Sequence, residues 1–142
     1  MEYYRLPLYI LFGVLPSLIW LFYYLKKDLH WYLNRLEQTA IDLLSGFDIL
    51  AHRISGKTGV WVNERKIVSM GVGIKKWVTF HGLAINVNTD LKLFSLIRPC
   101  GLDVAMTSIS NIKNSVIDMN LVKQNFLQHF KNNFRAHHAT LT

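Results

Sequence analysis

The sequence predicts an α+β fold in which a mixed sheet is flanked by helices. Apolar residues recur at three- and four-residue steps just after residue 27 and again over residues 121–134, which indicates an amphipathic helix in each place. Between them, from Gly59 onward, short β-type runs separated by polar or glycine residues indicate strands. The length of 142 residues is enough for one hydrophobic core.

The composition excludes some classes of protein and leaves others open. Hydrophobic residues make up 51% of the chain, which is too many for a disordered protein. The formal net charge of +7 suggests an acidic partner, either nucleic acid, an anionic membrane or an acidic protein. Because the basic residues form no stripe interleaved with aromatics, we expect no nucleic-acid partner. The carboxylates and histidines are scattered, so we expect no metal site.

Residues 1–27 differ in character from the rest, and we separate them from a domain over residues 28–142. Residues 6–25 carry no charge, and a run of that length is about what a helix needs to cross a bilayer. Lys26 and Lys27 follow this run, which suits a membrane anchor with the domain on the cytosolic side. The alternative is a buried, strand-rich part of the core.

The clearest helix follows this segment. Asp28 is suited to cap its start, and Gly46 stands where it should end. Its apolar stripe consists of Leu29, Leu33, Leu36, Ala40, Leu43, Leu44 and Phe47. The polar residues that fall on its other faces are Arg35, Glu37, Gln38 and Asp42. The pattern predicts a helix that packs on a core.

The strand signals begin after Gly59. The predicted runs are residues 60–62, 67–70, 72–74, 77–80 and 83–87, and residues 63–65 form a hairpin turn between the first two. Gly71, Gly73 and Gly82 stand inside or beside these runs, where a bulge or a close approach of backbone to a ligand is expected.

Two helices complete the prediction. Residues 91–97 are expected to form a short helix that is capped near Thr89 or Asp90, and Pro99 then breaks the chain. The final helix covers residues 121–134. Its apolar side is predicted to carry Leu121, Val122, Phe126, Leu127, Phe130 and Phe134.

Three residues could carry chemistry. Cys100 is the single cysteine, so it forms no internal disulfide, and it lies between Pro99 and Gly101 on a segment where a thiol can be reached. The alternative is an inert buried cysteine. Lys66 opens an apolar strand, where it either takes part in proton transfer or keeps its amine in solvent. His81, before Gly82, either orients a loop or fills a core pocket.

Five blocks of sequence together resemble one family, the octanoyltransferases of lipoate biosynthesis. They are DLHWYLNRLE at 28–37, GVWV at 59–62, KIVSMGV at 66–72, WVTFHGLAINVNTDL at 77–91 and PCG at 99–101. Ordered blocks at this spacing are more specific than any short motif, and the resemblance covers roughly residues 27–110. It implies a catalytic domain of the biotin and lipoate transferase type.

The resemblance implies a mechanism with a cysteine and a lysine. Cys100 would carry the octanoyl group as a thioester, and Lys66 would stabilise the thiolate and move protons. Ser69, Met70 and Gly71, and then Gly82, Leu83 and Ala84, match the family's acyl-substrate contacts. His81 is a further candidate for orienting the site. No cofactor is implied, because the substrate itself carries phosphopantetheine.

The resemblance also implies partners and a location. The donor would be octanoyl-acyl carrier protein, and the acceptors would be lipoyl domains of 2-oxoacid dehydrogenases or the H protein of glycine cleavage. Both kinds of partner are acidic, which gives the net positive charge a use. We expect the cytoplasm or an organelle matrix, with a membrane reached through residues 6–25.

One block of the family has no counterpart in this sequence. Before the first helix, the family carries a histidine-glycine-proline-glycine-glutamine block that builds one wall of the site, and residues 1–27 do not contain it. We therefore expect a chain that is truncated or altered in this part, or a membrane anchor on a partial domain. The alternative function is an inactive remnant that acts as a membrane-associated binding protein. A nucleotide-using ligase is not expected, because no glycine-rich adenylate-binding segment is found.

Overall fold

The computed structural model describes residues 28–75, 78–92 and 104–135. The helices and strands follow in the order α1 (Leu29–Ser45), β1 (His52–Ile54), β2 (Lys57–Val62), β3 (Arg65–Lys75), β4 (Val78–Ile85), α2 (Ile109–Lys113) and α3 (Met119–Arg135). The described strands form one sheet in sequence order, with each strand antiparallel to the next. Helices α1 and α3 share a hydrophobic core with one face of this sheet.

Helix α1 forms where its stripe and caps predict it. The Asp28 carboxylate accepts a hydrogen bond from the Trp31 N–H at 3.0 Å, which satisfies one of the free donors of the first turn. The helix ends at Gly46, as predicted, but Gly46 is right-handed with φ of −64°. The left-handed conformation is taken by Asp48, with φ of 56°. The end of the helix therefore does not depend on glycine's freedom at residue 46.

Glu37 was predicted on a polar face of α1, and this was wrong. The residue is buried, with 8% of its surface exposed. Its carboxylate accepts hydrogen bonds from the Gly59 N–H and from Arg53 Nε, both on strands. A buried carboxylate is tolerated when it is paired and hydrogen bonded, and partners so distant along the chain cannot be read from helical spacing.

The predicted hairpin is confirmed, and two pairs of predicted runs merge into longer strands. Asn63, with φ of 52°, lies in the turn between β2 and β3. The runs on either side of Gly71 are one strand, β3, and β4 is continuous through Gly82. These glycines face each other across the β3–β4 ladder. Glycine keeps its N–H and carbonyl groups, so it weakens a strand without ending it.

A parallel contact extends the antiparallel sheet. The Lys66 N–H donates to the Ala105 carbonyl at 2.8 Å, and the Thr107 N–H donates to the Lys66 carbonyl at 2.9 Å. These bonds form a parallel bridge between Lys66 and Met106. The predicted α+β class, with a mixed sheet and flanking helices, is thus confirmed.

A bulge in β3 sets which side chains enter the core. Val60 pairs with Val68, but the next residue of β2, Trp61, pairs with Lys66, so Ile67 is an extra residue on β3. Ile67 and Val68 are both fully buried, whereas strict alternation would place only one of them in the core. Lys66 is therefore on the opposite face from Val68.

Helix α3 was predicted with a wider apolar side than it has. Val122, Phe126, Phe130 and Phe134 are buried at four-residue steps, whereas Leu121 and Leu127 are 46% and 36% exposed. The Phe134 ring meets the rings of Trp31 and Tyr32 of α1 at centroid distances of 5.7 and 5.9 Å. A narrow apolar stripe is sufficient for packing, because the aromatic side chains of α3 pack against a single helix, α1.

Two described elements were not predicted, and two predicted ones fall wholly or partly outside the description. Strand β1 has three residues, and α2 has five residues capped by Ser108, whose hydroxyl accepts from the Asn111 N–H. Elements this short have no periodic signal. Of the short helix predicted over residues 91–97, residues 93–97 lie outside the described residues. The predicted anchor, residues 6–25, also lies outside the described residues. In the described part of the chain, no helix is long and apolar enough to cross a membrane.

Leu43 tests the core between α1 and the sheet. Its side chain is fully buried, so Leu43→Ala should lower the free energy of unfolding by about 3 kcal/mol through lost burial and the cavity left behind. Leu50→Ala is the matched control, because Leu50 is 91% exposed and should change stability by less than about 0.5 kcal/mol. Urea titration measures both, and equal effects would contradict the described core.

Tyr32 gives the fold a dependence on alkaline pH. Burial raises the pKa of Tyr32 above its usual value of 10.0, and a hydrogen bond with Thr79 of β4 acts in the other direction. The folded state holds this proton more tightly than the unfolded state. Its contribution to stability is therefore complete below the unfolded pKa and is lost as pH rises through the folded one.

We expect the free energy of unfolding to fall as the pH rises above about 10, and part of that fall to be absent in Tyr32→Phe. Denaturant titrations of both proteins across this pH range measure the difference. Parallel curves for the two proteins would show that Tyr32 titrates alike in both states.

Candidate functional site

The six residues predicted to contact an acyl substrate lie opposite one another on β3 and β4. Their cross-strand partners are Ser69 with Ala84, Met70 with Leu83, and Gly71 with Gly82. The two tripeptides are 11 or more positions apart in sequence, and the antiparallel register brings every member of one against a member of the other. The structure therefore gathers this set into one patch.

The patch has two sides. Met70 and Leu83 pack against the core shared with the helices. Ser69, Gly71, Gly82 and Ala84 alternate with them along the strands and so lie on the other face of the sheet. Among the described residues, no heavy atom lies within 4 Å of a Cβ atom built on Gly71 or Gly82, so none of these residues covers the sheet there.

The bulge in β3 brings Lys66 to this same side. Lys66 pairs with Trp61, and both lie on the face that carries Ser69, since Val60 and Val68 turn toward the core. The contact between the two side chains agrees, because Lys66 Nζ stands 5.3 Å from the centroid of the Trp61 ring. We call the surface made by Trp61, Lys66, Ser69, Gly71, Gly82 and Ala84 the open face.

Phe80 bounds the open face at the end away from Lys66. It pairs with Gly73, and its ring occupies the space beside that glycine, 2.3 Å from where a Cβ would stand. Phe80 is 45% exposed, so its ring projects from the sheet into solvent. Along the strands, the open face therefore runs from a cation at one end, over small residues, to an aromatic ring at the other.

Trp61 and Gly59 support the Lys66 side chain. Trp61 is 3% exposed, its indole Nε1 has no hydrogen-bond partner among the described residues, and Lys57 Nζ stands 5.4 Å from the ring centroid. Cations over an indole ring are attracted by its quadrupole, so the ring helps to hold Lys66 in place. A Cβ at Gly59 would stand 2.6 Å from Lys66 Cε. Lys66 therefore lies directly over the Gly59 backbone.

Cys100 and His81 can be placed only in part. Cys100 lies outside the described residues, as do all of residues 93–103, and its predicted role remains a prediction. In sequence it stands five positions before Ala105, the residue that is hydrogen bonded to Lys66. The backbone of His81 is in β4 opposite Val72, and its side chain is not among those described.

Gly59, Trp61 and Glu37 lie in the blocks that resemble the octanoyltransferases, but the sequence predicted no individual role for any of them. The signal for Gly59 and Trp61 was their place in the run GVWV, two and four residues after the exposed Lys57. Nothing in the sequence marked Glu37 or Arg53, since their connection runs through the folded chain. No group of three or more histidine, cysteine, aspartate or glutamate residues suited to a metal ion occurs in the described ranges.

The chain is similar to proteins of one family along most of its length. The family model described as the lipoyl protein ligase A/B catalytic domain matches residues 17–131, so the match begins inside the apolar segment 6–25. An octanoyltransferase of Cytophaga hutchinsonii is 44% identical over 117 residues, which cover 78% of this chain and 48% of that protein. A chloroplastic octanoyltransferase of Arabidopsis thaliana is 53% identical over 78 residues, covering 54% and 28%. The chain spans about half or less of the length of these relatives.

Solved structures share the fold. A lipoate-protein ligase A bound with ATP superposes with a TM-score of 0.61 at 14% identity, over 76% of this chain and 47% of that one. The apo biotin protein ligase of Aquifex aeolicus gives a TM-score of 0.60 at 17% identity, over 76% and 46%. At such identities the likeness concerns the fold, and it confirms the predicted type of catalytic domain.

Gly59 and Gly71 should respond differently to the same substitution. Gly59 has φ of +116°, and a Cβ there would stand 2.5 Å from the Val68 carbonyl oxygen as well as against Lys66. Gly59→Ala should therefore lower the free energy of unfolding by about 3 kcal/mol, through backbone strain and the clash. Gly71→Ala adds its methyl group to empty space and should change stability by less than about 1 kcal/mol. Thermal and urea unfolding measure both, and a tolerated Gly59→Ala would contradict the described contact.

Proposed function

The chain belongs to the lipoyl protein ligase A/B catalytic domain family, and on this premise we propose that it transfers an octanoyl group from acyl carrier protein to a lysine of a lipoyl domain. The observation that carries the proposal is the open face, where Lys66 adjoins a strip of small residues. The choice of octanoyl as the transferred group is supported by the octanoyltransferases that share 44% and 53% identity with this chain.

The reaction would proceed in two half-reactions through Cys100. The Cys100 thiolate attacks the carbonyl carbon of the octanoyl thioester, a new C–S bond forms, and the phosphopantetheine thiolate leaves. That thiolate takes up a proton equivalent to the one Cys100 lost. The amine of the acceptor lysine then attacks the octanoyl-Cys100 thioester, an amide bond forms, and the Cys100 thiolate leaves with the amine's proton passed to it.

Lys66 would act on the charge and the protons of both steps. An ammonium group beside a thiol favours the thiolate, and a lysine amine can carry protons between leaving and attacking groups. Support for this role comes from the position of Lys66 on the open face and from its backbone bonds to residues 105 and 107, which follow Cys100 in sequence. A lysine whose backbone is hydrogen bonded between strands and whose ammonium lies over an indole ring is already ordered before substrate binds.

The small residues of the open face suit an extended acyl chain. Ser69, Gly71, Gly82 and Ala84 leave space above the sheet, so methylene groups can lie against backbone and be removed from water. The chain would run from Lys66 toward Phe80, whose apolar ring bounds that end. In this arrangement the six predicted contact residues bind the acyl chain chiefly through the four that share the open face.

The partners follow from the same proposal. The donor is octanoyl-acyl carrier protein, and the acceptors are lipoyl domains of 2-oxoacid dehydrogenases or the H protein of glycine cleavage. The net charge of +7 suits such acidic partners. The protein then needs no cofactor of its own, and we expect it in the cytoplasm or an organelle matrix. A second candidate, a binding protein without activity, is favoured by residues 1–27, which do not contain the histidine-glycine-proline-glycine-glutamine block that the family carries before its first helix.

Acyl loading separates the two candidates. Purified protein incubated with octanoyl-acyl carrier protein should gain the mass of one octanoyl group, and Cys100→Ser should gain none as a thioester. Lys66→Met should load on the order of a hundred times more slowly, because a mispositioned or absent catalytic group costs about that much. Lys75→Met is the matched control, since Lys75 is an exposed lysine at the far end of the same strand. It should load at the wild-type rate.

Intact-protein mass spectrometry over time gives these rates, and circular dichroism checks the fold of each variant. A folded wild-type protein that gains no octanoyl group would reject the transferase and leave the binding protein. Equal rates for Lys66→Met and Lys75→Met would remove Lys66 from the mechanism while leaving the transfer in place.

A further inference from the structure

Glu37 is a buried carboxylate that no step of the proposed transfer uses. Its two oxygens have different partners: Oε1 accepts from the Gly59 N–H at 2.9 Å, and Oε2 accepts from Arg53 Nε at 3.0 Å. The Arg53 guanidinium also donates to the carbonyl oxygen of Asn34 at 2.9 Å and to Gln38 Oε1 at 3.1 Å, both on α1. Arg53 therefore fixes the direction in which the Glu37 carboxylate points.

The backbone that Glu37 holds has an unusual shape. In the β1–β2 ladder, His52 pairs with Trp61 and Ile54 with Lys57, so the stretch of β2 around Gly59 contains extra residues. Gly59 takes φ of +116° in this stretch, a conformation that other residues rarely adopt. Its N–H bonds to the carboxylate. A charge-assisted hydrogen bond of this kind is stronger than one between neutral groups and stabilises the bulged conformation.

The bulged backbone is also the support of Lys66. A Cβ at Gly59 would lie 2.6 Å from Lys66 Cε and 3.4 Å from Nζ, so the lysine crosses β2 directly over Gly59. Two residues later, the Trp61 ring holds the ammonium group at 5.3 Å. A change in the peptide at Gly59 therefore moves the surface on which the lysine chain lies, and with it the position of Nζ on the open face.

We propose that Glu37 is a positioning residue for Lys66, acting through the Gly59 peptide and oriented by Arg53. The geometric part stands on the contacts above, and its consequence for catalysis rests on the proposed function. The alternative is a purely structural role, in which Glu37 joins α1 to the sheet and its loss loosens the whole domain equally. A readout at Lys66 itself separates these two roles.

The experiment compares three substitutions of similar size. Glu37→Gln keeps an oxygen that can accept from Gly59, whereas Glu37→Met has nearly the same length and lacks that acceptor. Thr39→Val is the matched control, because Thr39 is another buried polar residue of α1, and its hydroxyl bonds to Asn133 of α3 at 3.4 Å and to the Arg35 carbonyl at 2.8 Å rather than to Arg53 or Gly59. Each protein, in full length, is reductively methylated with ¹³C-formaldehyde, which labels the lysines and keeps their charge.

The carbon-13 NMR resonance of dimethylated Lys66 reports its position over the Trp61 ring, whose ring current shifts it. Lys66→Arg assigns this resonance, and Lys57→Arg assigns that of Lys57, which lies over the same ring at 5.4 Å. We expect Glu37→Met to move the Lys66 resonance toward that of an exposed lysine. Glu37→Gln and Thr39→Val should leave it close to the wild-type position.

Arg53→Met keeps the proposal testable if Glu37→Met does not fold. Arg53 is one-third exposed, so the removal of its side chain should destabilise the fold less. Arg53→Met should move the Lys66 resonance in the same direction by a smaller amount. A Lys66 resonance unchanged in folded Glu37→Met, or in Arg53→Met when Glu37→Met is unfolded, would overturn the proposal. Equal movement in Thr39→Val would assign Glu37 a structural role only and would overturn it as well.

The octanoyl-loading rate tests the catalytic consequence separately. Glu37→Met should lower the rate about tenfold or more, whereas in a Lys66→Met background the same substitution should have little further effect, because Glu37 acts through Lys66. Full additivity of the two substitutions would contradict this step. If the wild-type protein does not load at all, the proposed function fails, but the NMR result still decides whether Glu37 positions Lys66.

Discussion

The bulge in β3 is the constraint on which both sides of the sheet depend. By adding Ile67 to the strand, it places two successive apolar side chains in the core and turns Lys66 to the opposite face. A regular ladder would direct Lys66 toward the helices, where an unpaired ammonium would be costly to bury. The core and the open face are therefore two consequences of the same one-residue irregularity.

The two faces of the sheet differ in how much stability they supply. The helix side is filled by large apolar residues of α1 and α3, including Leu43 and Phe130, and it supplies most of the buried surface. Beyond Trp61 and Lys66, the open face carries glycine, alanine and serine, which contribute little packing. A site made of small residues can be kept uncovered because the opposite face holds the sheet together. The candidate site and most of the stabilising packing thus lie on opposite sides of one layer.

The fold is shared with ligases for lipoate and biotin, whereas the sequence blocks are shared with octanoyltransferases. A common scaffold does not specify a reaction, so under the proposed function the residues on the open face would carry the distinction. Lys66 belongs both to the shared fold and to the resembling blocks. Its strand is part of the sheet shared with the ligases, and its side chain lies among residues of the blocks that resemble octanoyltransferases. Glu37 and Arg53 extend this connection to the helix layer.

The sequence by itself determined the fold class, α1, the β2–β3 hairpin and most of α3, because helical and strand periodicity are local properties of the chain. It also identified the two tripeptides of β3 and β4, through their resemblance to a family. Only the tertiary structure decided that these tripeptides face each other, that Lys66 shares a face with Ser69, and that Glu37 is buried. The reason is physical: register, bulges and hydrogen bonds between residues more than ten positions apart are set by the packing of whole elements, which no local sequence pattern contains.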